Sequence, residues 1–459
     1  MTKLGRLVPW LSVSAALLAV RAVLWLLGLR PAFDVLERNW QTLDLAVLAA
    51  DPLGSLWYLH SQAPLFNAVL AVIITIVGPD ATHVTLVLYG VWIALTLIGA
   101  GLLIAMLRRL GFSQLWAAVS AFLICCTPSV LYYETYAFYA HPSAFLVLCF
   151  MHALFVPHRY RALQGFGTLV ALAWLWAVFH PVFIALAGYV FGRMILMERR
   201  ALIGAAVMAT ILAAVPTLKN AVVFGVPSAS TWLPLNLAQT VRIEPEDMRL
   251  LCQFSAIIRQ LKATDPDAPE ALTAGDHPVL TATTKSGGAP NMNSAIVLDR
   301  SRQCLPNVVT AAQADPLRYI KKRLQRFLRT HSLRPHQYFH EPGGWERISS
   351  LWRVIEWTYP VSGLLNLQLY FCLFRLCWRA VRSGPYRPEM SALLLVLIYF
   401  TAVTHLMNGS EQERMRYTIE PIYTILAVWW LGPLCGPARV RDWLYRVVYR
   451  VVSVRRRRT

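Results

Sequence analysis

The sequence lacks the signatures that most often disclose an activity. It has no zinc-type cysteine or histidine spacing, no Walker loop and no dinucleotide-binding glycine fingerprint. No internal repeat of the transporter type is visible. Charge is scarce as well, at 15% of 459 residues against 57% hydrophobic, and mean hydropathy is +0.48. That balance excludes an ordinary soluble domain and describes a chain that passes repeatedly through a membrane. Acidic residues are fewer still, 24 against 43 basic ones, so the places where they gather become informative.

Apolar runs of roughly spanning length lie at 9–29, 83–107, 114–131, 142–157, 165–179, 182–197, 201–218, 352–378, 390–407 and 418–434. None shows the period-two alternation of a barrel strand, so all are expected to be helices. The first run has no small-residue cleavage site and many runs come after it, which argues against a removable signal peptide. The run at 64–77 is short for a crossing. Leaving it uncrossed puts Arg108 and Arg109, Arg159 and Arg161, and Arg199 and Arg200 on the cytoplasmic side, as short inner loops require. The expected fold is therefore all-α and polytopic, with ten spans, both termini inside and a juxtamembrane helix in the first external loop.

The chain then divides into an N-terminal membrane module (1–218) whose first external loop covers 30–82, an external soluble segment (219–351), C-terminal spans (352–434) and a basic cytoplasmic tail (435–459). Much of the net charge of +19 sits in inner loops and in the tail, where Arg alternates with Trp, Tyr, Leu and Val. That pattern suits anionic lipid rather than nucleic acid. Cys252 and Cys304 are the only cysteines in the soluble segment. On an oxidising side they are expected to pair, two buried thiols being the alternative. Residues 316–329 read as an amphipathic basic helix, facing lipid phosphates or an anionic substrate, or merely solvated.

Ionisable groups at membrane depth are costly and tend to mark function. This topology gathers them on the external side. Asp34, Glu37, Asp44 and His60 come after span 1; Glu134 and His141 lie in Tyr132-Tyr-Glu-Thr-Tyr-Ala-Phe-Tyr-Ala-His-Pro142; His180 precedes Pro181; and Arg414 and Arg416 lie between the last two spans.

Asp34 or Asp44, then Gln62-Ala-Pro-Leu65, then Glu134 form an order that resembles the GT-C membrane glycosyltransferases, which include protein O-mannosyltransferases and aminoarabinose transferases. The resemblance covers most of the chain as architecture and short stretches as motif. It implies an essential Asp in the first external loop, a juxtamembrane helix after it and an acidic residue in the second external loop. Ala63 stands where relatives carry a first proline, and Glu134 stands alone where they often carry an acidic cluster.

The resemblance implies an inverting glycosyltransferase moving a sugar from a polyprenyl-phosphate donor to a glycan, lipid or protein acceptor. Asp34 and Asp44 are the candidate bases. His60, Glu134, His141 and His180 are candidate substrate contacts, and Arg414 and Arg416 are candidate phosphate contacts. A divalent metal, Mg or Mn, is left open. A bacterial inner membrane, with the site facing the periplasm, suits the Arg-, Ala- and Leu-rich composition. Structural roles compete at each position: Asp34 as a helix cap, Glu134 within an aromatic belt, Arg416 paired to Glu420. A lipid-linked substrate transporter or flippase, or a noncatalytic assembly subunit, are the rival classes. A transporter is expected to carry polar groups deep in the bilayer.

Overall fold

The computed structural model describes residues 3–195, 199–239, 241, 243, 246–263, 277–322, 396–399, 417, 418 and 422. Helices α1 (Lys3–Leu26), α2 (Val35–Arg38), α3 (Leu45–Ala50), α4 (Pro52–Tyr58), α5 (Leu65–Val77) and α6 (Ala81–Arg109) come first. Next are α7 (Gln114–Cys125), α8 (Pro128–Thr135), α9 (Ala140–Phe155), α10 (Arg161–Leu175), α11 (Pro181–Ile195) and α12 (Arg199–Phe224). The short helices α13 (Leu233–Ala238), α14 (Glu246–Leu251), α15 (Phe254–Ala263) and α16 (Pro278–Thr281) precede α17 (Ala295–Ala314). No strand occurs among the described residues, only an isolated bridge between Thr284 and Pro290.

This is an all-α, membrane-embedded protein. Among the described residues three helices are long and apolar enough to cross a bilayer unaided, at Val8–Leu26, Ala81–Arg109 and Ile203–Phe224, and the bent α7–α8 pair adds a fourth if it is a single broken span rather than a re-entrant loop. Ten independent spans are therefore not what the described residues display. The physical reasons are local. The run expected at 114–131 stops at Cys125, because Pro128 lacks an N–H and restricts the residue before it. The chain restarts as α8 at an angle of 55°. Helices α9 and α10 have 16 and 15 residues, so each falls short of the ~30 Å hydrocarbon layer at 1.5 Å per residue. The expected spans at 352–378, 390–407 and 418–434 fall outside the described residues apart from 396–399, 418 and 422; the tail at 435–459 also lies outside.

Side-chain pairs set the helix directions. Trp10 donates from its indole nitrogen to the Leu97 carbonyl (2.9 Å) and lies against Gly101, whereas Trp25 stacks on Tyr89. Advancing along α1 thus means retreating along α6, and the two are antiparallel. The chain from 27 to 80 accordingly leaves and rejoins the bundle at the same end. Helix α5 has only 13 residues and ends at Gly78, whose φ of +82° stops it. It packs on α6 and α10 as well as on α3 and α4, and α6 still begins at the end of the bundle where α1 finishes.

Helix α12 runs six residues past the expected boundary at 218, to Phe224. Lys219 makes this extension tolerable: its ammonium donates to the Leu59 carbonyl while its charge lies over the Phe224 ring, 5.3 Å from the centroid. Beyond it, α13 to α17 build a second small core from Trp232, Leu235, Cys252, Ile257, Leu261, Met292, Val297, Cys304 and Val308. A disulfide joins Cys252, just past α14, to Cys304 in α17. This appended segment sits on the first inter-helix loop, at the end of the bundle where α1 finishes.

Candidate functional site

Two groups of polar residues are built where sequence reasoning places carboxylates. The first lies on the loop between α1 and α6. Asp44 caps α3, its carboxylate accepting from the backbone N–H of Ala46 (2.8 Å) and Val47 (3.2 Å), and it accepts a further bond from the N–H of Ser286 in the appended segment. Burial pushes its pKa up, but the bonds from Ser286, Val47 and Ala46 outweigh it and hold the carboxyl below its ordinary range. Asp44 is therefore ionised and half-exposed.

Beside it lies Lys285, a buried lysine whose ammonium donates to the Asn39 carbonyl (2.5 Å) and the Thr42 hydroxyl (2.9 Å). Burial pushes its pKa down to about 7, with Asp44 and then Glu37 pulling it back up. Glu37 lies against Gly287 of the same turn. Asp34 behaves differently: it is half-exposed and forms an ion pair with Arg38 one helical turn on. It accepts no cap bond from α2, so the expected capping role is absent.

The second group is inside the bundle. Arg21 donates from Nε to Glu134 (2.9 Å) and from Nη2 to the Cys125 carbonyl (2.8 Å), with side chains 4% and 1% exposed for the pair. Thr96 donates its hydroxyl proton to the same carboxylate (2.6 Å). His141 has one ring nitrogen within 3.2 Å of the Trp92 carbonyl, which only accepts, so that nitrogen carries the proton; it also lies 3.2 Å from the Thr96 hydroxyl. Its other nitrogen then accepts from the Tyr417 hydroxyl (2.7 Å). Thr96, Thr127, His141 and Tyr417 are the polar residues of a mostly apolar pocket walled by Leu95, Leu103, Ile124, Val130, Phe145 and Leu148.

The two groups are linked through Tyr139, two residues before His141. Its hydroxyl donates to the Gln41 side chain (2.8 Å), three residues before Asp44, and the Gln41 carbonyl in turn accepts from Asn67 of α5. Asn67 also receives the Leu43 N–H (2.8 Å). The loop carrying Asp44 is thus tied to the helix that leads into the buried network.

His60 is fully enclosed. Its Nε2–H donates to the Asn293 carbonyl (2.8 Å) and its Nδ1 accepts from the Thr231 hydroxyl (2.7 Å), while the Thr231 N–H returns to the His60 carbonyl (3.0 Å). With both ring nitrogens engaged it binds the appended segment to the bundle, in place of the expected substrate contact. His180 is exposed; its Nδ1 accepts from the Val182 N–H (3.3 Å), and its own N–H donates to Tyr399 (3.1 Å). Neither bond connects it to either group. Arg414 and Arg416 lie outside the described residues.

Among the described residues no three His, Cys, Asp or Glu side chains converge closely enough to hold a metal ion. With Lys285 acting on both Glu37 and Asp44, the donor set suits Mg or Mn poorly.

Sequence reasoning does not single out Arg21, Thr96, Tyr417 or Lys285. Arg21 carries a usable signal, as the single charge in the run from Leu11 to Leu27. Lys285 carries none, since it sits in an ordinary Thr/Ser/Gly/Pro-rich turn. Comparison with protein-family models, curated proteins and solved structures finds no match.

Proposed function

We propose that this protein is a membrane glycosyltransferase that moves a sugar from a polyprenyl-phosphate donor to an acceptor at the outer face of the membrane. The observation that carries the reading is Asp44: an ionised, half-exposed carboxylate on the loop where α1 and α6 meet, under a turn delivered by the appended segment. In this reading the end of the bundle bearing that loop faces outward, the periplasm in a bacterial inner membrane.

The acceptor hydroxyl approaches Asp44, which takes its proton as the new bond to the anomeric carbon forms and the bond to the lipid phosphate breaks. Because the carboxyl is held below its ordinary range, it is a weak base and accepts the proton late, when the hydroxyl has become acidic. Lys285 supplies positive charge beside it. Attack from one face without a covalent intermediate gives inversion.

The apolar pocket that ends on Thr96, His141 and Tyr417 supports a lipid-borne substrate, since an isoprenoid chain has no polar groups of its own to satisfy. Thr96, His141 and Tyr417 serve here as the polar floor, with Glu134 holding Thr96 from behind. Turnover by detergent-purified protein with a polyprenyl-phosphate sugar tests the reading.

A second reading is favoured by one observation. The Arg21–Glu134 pair is buried within the helices, which is where a carrier of a lipid-linked substrate concentrates polar groups. Replacing the pair together by apolar residues, Arg21→Met with Glu134→Leu, discriminates: a transferase retains sugar transfer because the pair is scaffolding, and a carrier loses movement of a labelled lipid in proteoliposomes.

A further inference from the structure

The turn from Thr284 to Pro290 is closed by its bridge, by the Lys285 N–H donating to the Ala289 carbonyl (2.8 Å), and by Gly288 at φ +75°. It reaches across to the first inter-helix loop. A Cβ on Gly287 would come within 2.9 Å of the Glu37 Cβ, so only glycine lets the turn seat there. Lys285 then sinks to 5% exposure between Asn39 and Thr42, and the next N–H, that of Ser286, lands on the Asp44 carboxylate. An ammonium is expensive to bury on a carbonyl and a hydroxyl alone. The charged groups acting on it are Asp44 and Glu37, both on the first loop, and the turn itself contributes none.

We infer that Lys285 is a positioning residue for Asp44: anchored on Asn39 and Thr42, it clamps the turn so that the Ser286 N–H stays on the carboxylate, and it sets the charge felt there. This rests on reading Asp44 as the base. Its ammonium is held down to about 7 by burial, so the clamp carries a charge that ordinary pH changes remove.

Two readouts test it on the full-length protein in detergent. Carboxyl labelling followed by mass spectrometry reports the accessibility of Asp44, normalised to exposed Asp299. Lys285→Met should raise that ratio several-fold and move the acid limb of the transfer pH profile upward by roughly one unit, because a cation no longer favours the ionised carboxylate. Lys285→Arg should restore both. An unchanged ratio and an unmoved limb in Lys285→Met overturn the inference, since a merely structural lysine would lower yield without shifting the limb. If Lys285→Met fails to fold, the wild type suffices: its Asp44-to-Asp299 ratio should rise between about pH 6 and about pH 8.5 with a midpoint near 7, and a flat ratio overturns the inference. A wild type that labels as expected yet transfers no sugar rejects the transferase reading and leaves the clamp standing.

Discussion

Acidification should loosen the appended segment from the bundle through His60. The ring is fully buried, donates to the Asn293 carbonyl, accepts from Thr231 and meets the edge of Phe224 at 5.3 Å. Burial pushes its pKa from 6.5 down to about 4; the Asn293 carbonyl bond pulls it up, and Lys219 adds to the depression. For a base with a depressed folded value, the unfolded form binds more protons between the two values, so stability rises with pH across that window. The histidine imposes no penalty above pH 6.5, and the penalty is complete below about pH 4. A difference of about 2.5 units at 1.36 kcal/mol each amounts to about 3 kcal/mol, of which about 2 kcal/mol is already lost at pH 5. The assay is unfolding of purified protein across about pH 4 to 7.5, monitored by fluorescence of Trp232, which donates its indole N–H to the Met292 carbonyl beside the joint (3.2 Å). His60→Asn, which cannot titrate, should be less stable at pH 7.5 yet show a shallower loss on acidification. Parallel pH dependence in the two proteins would refute the reasoning.

Glu134→Gln should destabilise by about 3–5 kcal/mol, because Arg21 is left buried without its counter-charge; the double change Arg21→Met with Glu134→Leu should cost clearly less, and thermal midpoints in detergent compare them. Reducing the disulfide between Cys252 and Cys304, which encloses a separation of 52 residues, should lower the stability of the appended segment by up to about 4 kcal/mol in the chain-entropy model. Protease cleavage within 225–322, with and without reductant, measures it. Reporter fusions at about residue 110 and about residue 280 should report opposite sides of the membrane, because the appended segment packs on the loop at the start of α6 whereas residue 110 lies at its other end; the same side for both would undo the proposed orientation.

The helical, membrane-embedded class was legible because composition decides it: a chain with 57% apolar residues has few other solutions. The shortness of 64–77 was legible too, and α5 is correspondingly a 13-residue helix. Hydropathy could not reveal where helices end. Pro128 and the residues around Cys125 stop a run whose apolar character continues, and Lys219 lies inside a helix that hydropathy ends before it. The carboxylates were readable as a set but not in their roles. Asp44 and Asp34 look alike in sequence; only the packing of a turn some 240 residues distant sets Ser286 against one, while Arg38 takes the other. His60 misled for a related reason, since its partners Thr231 and Asn293 come from a segment without recognisable periodicity.

The central claim is that Asp44 is the catalytic base, and sugar transfer from a polyprenyl-phosphate donor by Asp44→Asn tests it most directly. Asparagine caps a helix as well as aspartate does, so α3 should persist; the change removes the proton acceptor together with the bond from the Ser286 N–H, which an amide nitrogen cannot accept. The account predicts a fall in kcat of about 10²- to 10⁴-fold with donor affinity retained, and near wild-type turnover for Asp34→Asn. Wild-type turnover by Asp44→Asn would contradict it.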